Sequence, residues 1–345
     1  MAGNYELLCL ENPLLDIQGV GDQALLDKYG LKANDAILAD PEKHMGLYED
    51  LIQNYKAVLI AGGAAQNTAR GAQYILQPNS TVYIGCIGKD KYGETLEKIS
   101  SDAGVKTEYL YDEKTPTGRC GVVITGHNRS LCTDLAAANN YKVDHLKQDR
   151  IWKQVENAQV FYVGGFHLTV CVPAIKALAE EAAAKNKTFI LNLSAPFISQ
   201  FFKDPLDEIL PYVDILIGNE TEAAAFAESH GIETKDVTKI AEAIAKGPKK
   251  NTKRSRTVVF TQGTDPTIAV SADGDVKSVK VHAISEDKIN DTNGAGDAFA
   301  GGFVAGIVQG KSLETAIDMG QWLAKLSIQE LGPSYPQPKQ TYTAS

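Results

Sequence analysis

The stretch VFYVGGFHLTVCVPAIKALAEEAAAKNKTFILN, residues 160–192, decides the fold. Residues 160–163 form a short β-branched and aromatic run, which reads as a strand, and Gly164-Gly165 ends it. Residues 173–185 are rich in Ala, Leu and Lys and read as a helix, and residues 188–193 return to a strand pattern. The rhythm continues downstream, with a strand at 214–217, helices at 220–229 and 237–245, and a strand at 257–261. Such β-α-β-α alternation predicts an α/β fold with a mainly parallel sheet covered on both faces. Crossovers in these sheets are right-handed, and ligands bind beyond the carboxyl ends of the strands.

The first 140 residues are less regular. Residues 62–76 read as a Gly-rich turn entering a helix, 81–87 as a strand and 92–103 as a helix. Residues 117–135 alternate β-like runs around Gly126-His127-Asn128-Arg129, a hairpin-like turn. Segments 14–61 and 116–140 are therefore expected to form a small β-rich subdomain. It would be inserted into a large body made of 1–13, 62–115 and 141–345. Residues 332–345 read as a surface tail.

The chain has 345 residues, of which 43% are hydrophobic and 22% charged, enough apolar material for a sizeable core. Its net charge of −9 argues against a protein that coats nucleic acid or an anionic membrane. The longest stretch without Asp, Glu, Lys or Arg, residues 157–175, carries Gly164-Gly165, His167 and Pro173 and does not read as a membrane span. The N-terminal MAGNYELLCLENP has no basic run before its apolar residues and does not read as a secretory leader. Cys9, Cys86, Cys120, Cys132 and Cys171 include no C-x-x-C pair, which fits reduced thiols in the cytoplasm and disfavours thiolate metal sites.

The chemistry is concentrated in Asp291-Thr292-Asn293-Gly294-Ala295-Gly296-Asp297, which leads into a long apolar helix. The N–H groups of Gly294, Ala295 and Gly296 would be unpaired at a helix N-terminus, where donors and dipole favour an anion. A carboxylate there repels the charge that the hole attracts, and a proton-accepting role for Asp297 would explain it. The plainer reading is a helix cap by Asp291, Thr292 or Asn293, with Asp297 complementing the dipole. Neither G-x-x-x-x-G-K-[ST] nor an early G-x-G-x-x-G is present, which disfavours a P-loop kinase and a nicotinamide dehydrogenase. Ala61-Gly62-Gly63-Ala64-Ala65-Gln66-Asn67 is a second Gly-rich helix entry, where Asn67 offers donor and acceptor to a hydroxyl. Asn219-Glu220-Thr221-Glu222 reads locally as a capping box, yet its place after a strand also suits a carboxylate that organises Mg²⁺ through water.

Other features read more plainly. Residues 249–256, KKNTKRSR, are taken as a solvated loop, with a nuclear signal as the alternative. His167 reads as a pocket-wall or core residue, and Trp152 and Trp322 as helix-packing residues.

Taken together, the Gly62–Asn67, Asn219–Glu222 and Asp291–Asp297 segments resemble, in that order, the signature regions of ribokinase-like carbohydrate kinases. Asn12-Pro13-Leu14-Leu15-Asp16, PTG at 116–118, NRSL at 128–131, LAAAN at 135–139, LNLSAPFISQFF at 191–202, PYVDILIGNETEAA at 211–224 and FTQG at 260–263 are similar to the family's nucleoside kinases rather than its sugar kinases. The likeness covers nearly the whole chain. It implies a three-layer α/β/α body with a mainly parallel central sheet plus a small β-rich lid. The implied reaction moves the γ-phosphoryl of ATP to the 5′-hydroxyl of adenosine, giving AMP and ADP in purine salvage. Another nucleoside or a sugar as acceptor, or a catalytically silent binding protein, remain the alternatives.

The resemblance implies roles for matching residues. Asp297 would be the catalytic base, and Gly294, Ala295 and Gly296 the anion hole, with Arg129 of the lid reaching the phosphates. Asn12, Asp16, Gly62, Gly63 and Asn67 would serve the nucleoside and its ribose hydroxyls. Leu15, Leu38, Leu135, Ala137 and Phe166 would surround the adenine ring. Asn192, Asn219, Glu222, Thr261, Gly263 and Asn293 would take the ATP side, with Mg²⁺ held through water by Glu222. The expected partners are adenosine and ATP, with no nucleic acid or membrane, and the chain is expected to be a monomer in the cytoplasm, with the nucleus as a second compartment. Two departures stand out: Ala64-Ala65 replace the Ser-Thr pair of animal-type relatives, and Gln321 replaces a His near the ATP base.

Overall fold

The computed structural model describes residues 5–33, 35–126 and 128–344. His127, in the expected hairpin turn, and residues 1–4 of the leader reading lie outside the described residues.

A nine-stranded sheet runs in the order Val276–Val279, Asp265–Ser271, Thr257–Gln262, Ile215–Asn219, Thr188–Asn192, Val160–Gly164, Leu7–Leu10, Thr81–Gly88, Lys106–Asp112. Leu7–Leu10 lies between two parallel neighbours near the middle of the sheet. The central strands are apolar on both sides because both faces are covered. Leu8, Leu10, Phe161 and Val163 enter one core, with helices Val172–Lys185, Glu220–Ser229 and Val237–Ala245. Leu7, Cys9, Val160 and Tyr162 enter the other, with helices Ala64–Ile75, Lys91–Asp102, Ala295–Val308 and Leu313–Ser327. Each such leucine is fully buried, a contribution of about 1.5–3 kcal/mol. The body is therefore three-layered and ribokinase-like, as expected. The strands Asp265–Ser271 and Val276–Val279, absent from the sequence reading, add antiparallel at one edge. Their polar interruptions, Asp265-Pro266 and Asp273-Gly274-Asp275, suit an edge and hide the β pattern.

A second sheet has five strands in the order Ala36–Leu38, Asn128–Asp134, Arg119–Thr125, Leu14–Val20, Val58–Gly62. One face packs on helices Gln23–Tyr29 and Met45–Asn54 through Ile17, Leu25, Leu47, Leu51 and Val123. The other face looks into a cleft against the body.

Two expectations are refined. The basic run 249–256 is a solvated loop only in part: Lys250, Thr252, Lys253 and Ser255 are exposed, but its other cations are engaged. Arg256 is fully buried and donates to the carbonyls of Val213, Ile244, Leu210 and Pro248 at 2.6–3.1 Å. Lys249 pairs with the buried Asp214 at 2.5 Å, and Arg254 donates to the Asn186 carbonyl. Charge density in sequence cannot distinguish solvent from buried carbonyls that need donors. The segment after Gly332 does lie at the surface, with residues 337–341 exposed, but it is anchored there: Tyr74 donates to the Pro336 carbonyl at 3.0 Å and Tyr335 lies against its ring. Trp152 and Trp322 do pack in helices. Among the described residues no helix is long and apolar enough to cross a membrane, and all five cysteines are buried without a disulfide.

Replacing Arg256 by Met strands four carbonyls, and a buried acceptor left unsatisfied costs about 1–3 kcal/mol. Arg256→Met should therefore lower unfolding free energy in urea by at least about 3 kcal/mol. A loss below about 1 kcal/mol would mean that these bonds do not hold the loop to the body.

Candidate active site

The cleft between the two sheets holds a cavity of about 600 Å³ at the carboxyl ends of the parallel strands. Parallel pairing brings those ends together: Asn192 ends one strand beside Ile217, and Asn219 pairs with Thr261 on the next. Asn12 follows the central strand, where it donates to the Phe166 carbonyl at 3.3 Å and meets His167 Nδ1 at 2.8 Å. His167 itself is fully buried against Tyr141, so it supports the wall. Its pKa is lowered to about 3 by burial, which keeps it neutral. The Leu14–Val20 strand presents Leu14 and Asp16 to the cavity.

The helix Ala295–Val308 begins at the cavity with no side-chain cap. Gly294 precedes it at φ 77°, a left-handed conformation that glycine adopts without strain. The Ala295 N–H turns back to the Thr292 carbonyl at 3.2 Å. This corrects the three-donor reading for the conformation seen: the N–H groups of Gly294, Gly296 and Asp297 are the ones without an acceptor among the described residues. The hole keeps its donors and dipole, displaced by one residue on the C-terminal side.

Asp297 lies in the first helical turn, where its Oδ2 accepts from Asn67 Nδ2 at 2.9 Å. Desolvation pushes its pKa up to about 7, opposed by the Asn67 hydrogen bond and the Arg70 charge. Asp16, buried, is pushed up to about 7 by desolvation and by Asp297. Glu11 reaches about 8, chiefly by burial, although its Oε2 accepts from the Ala65 N–H at 2.8 Å. Glu222 rises to about 7 by burial, with its oxygens accepting from Asn219 N at 3.0 Å and Asn219 Nδ2 at 3.1 Å. The predicted capping box is therefore present, and the same carboxylate lines the cavity.

Most residues singled out from the sequence meet here. Asp297, Gly294, Ala295, Gly296, Arg129, Asn12, Asp16, Gly63, Asn67, Leu38, Leu135, Phe166, Asn192, Asn219, Glu222, Thr261 and Asn293 all line the cavity. Four do not. Leu15 points to the opposite face of its strand, into the body core, because side chains alternate; Leu14 takes its place. Ala137 is fully buried in the body core, in the same apolar cluster as Leu10 and Phe161. Gly62 lies behind the wall: a Cβ there would fall 2.0 Å from Asp16 Oδ1, so its bareness makes room for that carboxylate. Gly263 turns at φ 58° outside the cavity. Gln321 is buried, donating to Thr267 Oγ1 and the Val279 carbonyl, and does not line the cavity.

Sequence reasoning missed Glu11 and Arg70 as parts of the site, and read Asp291 only as the first residue of its segment and a candidate helix cap. Asp291 is fully buried and accepts from Arg129 Nε (2.9 Å), Gln18 Nε2 (3.0 Å), Gly332 N (3.0 Å) and Asn293 N (2.9 Å). It thus joins the five-stranded sheet, the anion loop and the C-terminal segment. No group of three or more His, Cys, Asp or Glu that could hold a metal occurs among the described residues, so Glu222 is the one metal candidate from the sequence that faces the cavity.

A donor-lined helix start carrying a half-buried carboxylate in its first turn, in a cleft between an α/β body and a small sheet, is the arrangement of a phosphoryl-transfer enzyme of the carbohydrate-kinase class. The pfkB family carbohydrate kinase profile matches residues 23–340, and the chain belongs to that family. It is 50% identical over 341 residues to the adenosine kinase of Schizosaccharomyces pombe, covering 98% of each chain. The crystal structure of Anopheles gambiae adenosine kinase with P1,P4-di(adenosine-5) tetraphosphate matches at TM-score 0.93 and 44% identity, covering 98% of this chain and all of that one. Schistosoma mansoni adenosine kinase with 2-fluoroadenosine matches at TM-score 0.92 and 36% identity over 98% of both chains. As a member of this family the protein is an ATP-dependent kinase.

Because burial raises the pKa of Asp297 from 3.8 to about 7, the folded chain keeps a proton that the unfolded chain releases. That stabilisation is complete below about pH 4 and is lost as pH rises through about 7. Asp297→Asn, with no charge to bury, should match wild type near pH 4 and exceed it at pH 8 by about 1–4 kcal/mol, at about 1.4 kcal/mol per pH unit. Equal stabilities at pH 8 in ligand-free urea melts would show that the carboxylate is not desolvated.

Proposed function

We propose that the protein transfers the γ-phosphoryl of ATP to the 5′-hydroxyl of adenosine, giving AMP and ADP, with Asp297 as the base. The observation that carries this reading is the Asp297 carboxylate at the donor-rich start of the Ala295–Val308 helix, held by Asn67 at 2.9 Å. Relatives named adenosine kinase at 50% identity, and related structures holding adenosine analogues, support adenosine as the acceptor.

Adenosine would enter beneath the five-stranded sheet. Asp16, Asn67 and the Gly63 backbone take the ribose hydroxyls, while Leu14, Leu38, Leu135 and Phe166, whose ring lies tilted against Phe197 with centroids 5.8 Å apart, enclose the base. ATP lies along Asn192, Asn219, Thr261 and Asn293, with its γ-phosphate at the free N–H groups of Gly294, Gly296 and Asp297. Asp297 takes the 5′-hydroxyl proton as that oxygen attacks the γ-phosphorus and the bond to the β-phosphate oxygen breaks. Its raised pKa leaves it only partly ionised near neutrality but makes the ionised form a better proton acceptor than an ordinary carboxylate. The transition state is largely dissociative and asks little of the base, so positioning and the anion hole supply most of the acceleration.

The five-stranded sheet acts as a lid, with Arg129, now on Asp291, turning to the phosphates as it closes. Closure excludes water, which guards ATP against hydrolysis. A lone Glu222 carboxylate, already bonded twice by Asn219, suits a Mg²⁺ reached through water and held mainly by phosphates rather than an all-protein cage. That ion would offset the negative charge which the cavity carboxylates add to that of ATP. The unpaired buried thiols support a cytoplasmic protein, and the self-contained cleft, complete within one chain, supports a monomer.

Asp297→Ala should cut kcat for AMP formation by about 10²–10⁴-fold while adenosine still binds. Retention of a tenth or more of wild-type kcat would remove Asp297 as the base. A coupled ADP assay over nucleosides and sugars should rank adenosine first, and faster turnover of ribose would reject the acceptor.

A further inference from the structure

One turn beyond Asn67 on the Ala64–Ile75 helix stands Arg70, on the same helical face and buried. Its Nη2 donates to Asn67 Oδ1 at 2.7 Å, to the Ala61 carbonyl at 3.0 Å and to the Pro333 carbonyl at 3.0 Å. The Asn67 amide has one oxygen and one NH₂ group. With its oxygen claimed by Arg70, its NH₂ group must face Asp297, where it meets Oδ2. An amide turned end for end would set oxygen against carboxylate oxygen and leave Arg70 facing a donor. The guanidinium thus removes one of two orientations of the residue that holds the base.

The C-terminal segment completes the arrangement. Pro333 accepts from Arg70 and also packs on Gly294, where a Cβ would come within 2.6 Å of the proline ring. One residue therefore braces both the anion loop and the arginine. The groups whose charge reaches Asp297 are the carboxyls of Glu11, Asp16 and Glu222, the phenols of Tyr162 and Tyr335, and Arg70. Of these only Arg70 is a cation, and it favours the ionised form.

We infer that Arg70 is a positioning residue for phosphoryl transfer: clamped by the Pro333 carbonyl, it sets the Asn67 amide so that Asp297 is held in place and ionised. This rests on the reading of Asp297 as the base. It adds a charged residue that touches neither substrate and gives the C-terminal segment a part in catalysis.

The full-length enzyme carrying Arg70→Gln, Arg70→Lys or Asp297→Ala is assayed for kcat from pH 5.5 to 9, with KM values and thermal melts. Arg70→Gln should lose about tenfold in kcat at pH 7 and move the acidic limb of kcat up by about one pH unit, with KM for ATP changed less than about twofold. Arg70→Lys keeps the charge and should hold the limb within about 0.3 unit of wild type while recovering part of the loss in kcat. A folded Arg70→Gln enzyme with the wild-type limb and kcat overturns the inference, as does an Arg70→Lys enzyme whose limb rises by a full unit. If the Gln variant does not fold, Arg70→Met supplies the neutral arm and is held to the same loss in kcat and the same shift of the limb. An active Asp297→Ala enzyme refutes the reading of the base instead; an inactive one beside unaltered Arg70 variants refutes only the role of Arg70.

Discussion

The site is organised around one electrostatic conflict, a desolvated carboxylate at the start of a helix whose free N–H groups attract anions. Asp297 cannot be there cheaply, since burial alone lifts its pKa to about 7. Its neighbours make matters worse, because Glu11, Asp16 and Glu222 are buried carboxyls in the same cleft. What offsets this is local and specific: an oriented amide from Asn67, a buried guanidinium from Arg70 and the dipole of the Ala295–Val308 helix. The surrounding architecture serves to hold those three elements in register. The parallel sheet sets the strand ends, the small sheet roofs them, and Asp291 ties roof, loop and C-terminal segment together.

The same arrangement explains how an acidic protein handles an acidic substrate. The net charge of −9 argues against broad attraction for polyanions, yet backbone N–H groups at a helix start bind phosphate without any formal charge. Carboxyls near half-protonation add less negative charge to the cavity than their number suggests. A cation bound with the phosphates would offset the remainder, the part proposed for Mg²⁺ at Glu222.

Legibility from sequence followed the range of the interactions. The α/β body was readable because strand and helix periods are local; the DTNGAGD turn alone fitted a plain helix cap equally well, and only together with the Gly62–Asn67 and Asn219–Glu222 segments did it point to phosphate. Choosing Leu15 over Leu14 failed at the next level, since alternation names two faces but not which one meets the cavity. Ala137 failed in the same way: an apolar residue beside a site suits its wall and its core equally. Arg70, and the joining role of Asp291, were invisible because their partners lie far away in the chain, at Pro333 and at Gln18 and Arg129. Residues 249–256 mislead for a related reason: four carbonyls from separate turns converge on Arg256, and no sequence pattern announces that convergence.

The central claim is geometric, that the acceptor hydroxyl and the γ-phosphate meet at Asp297, and a crystal structure with adenosine and a non-hydrolysable ATP analogue tests it most directly. The account predicts the 5′-oxygen about 2.6–3.2 Å from an Asp297 carboxylate oxygen, with the γ-phosphate on the N–H groups of Gly294, Gly296 and Asp297. A closed complex that placed the 5′-oxygen beyond hydrogen-bonding reach of that carboxylate, even through one water, would contradict it.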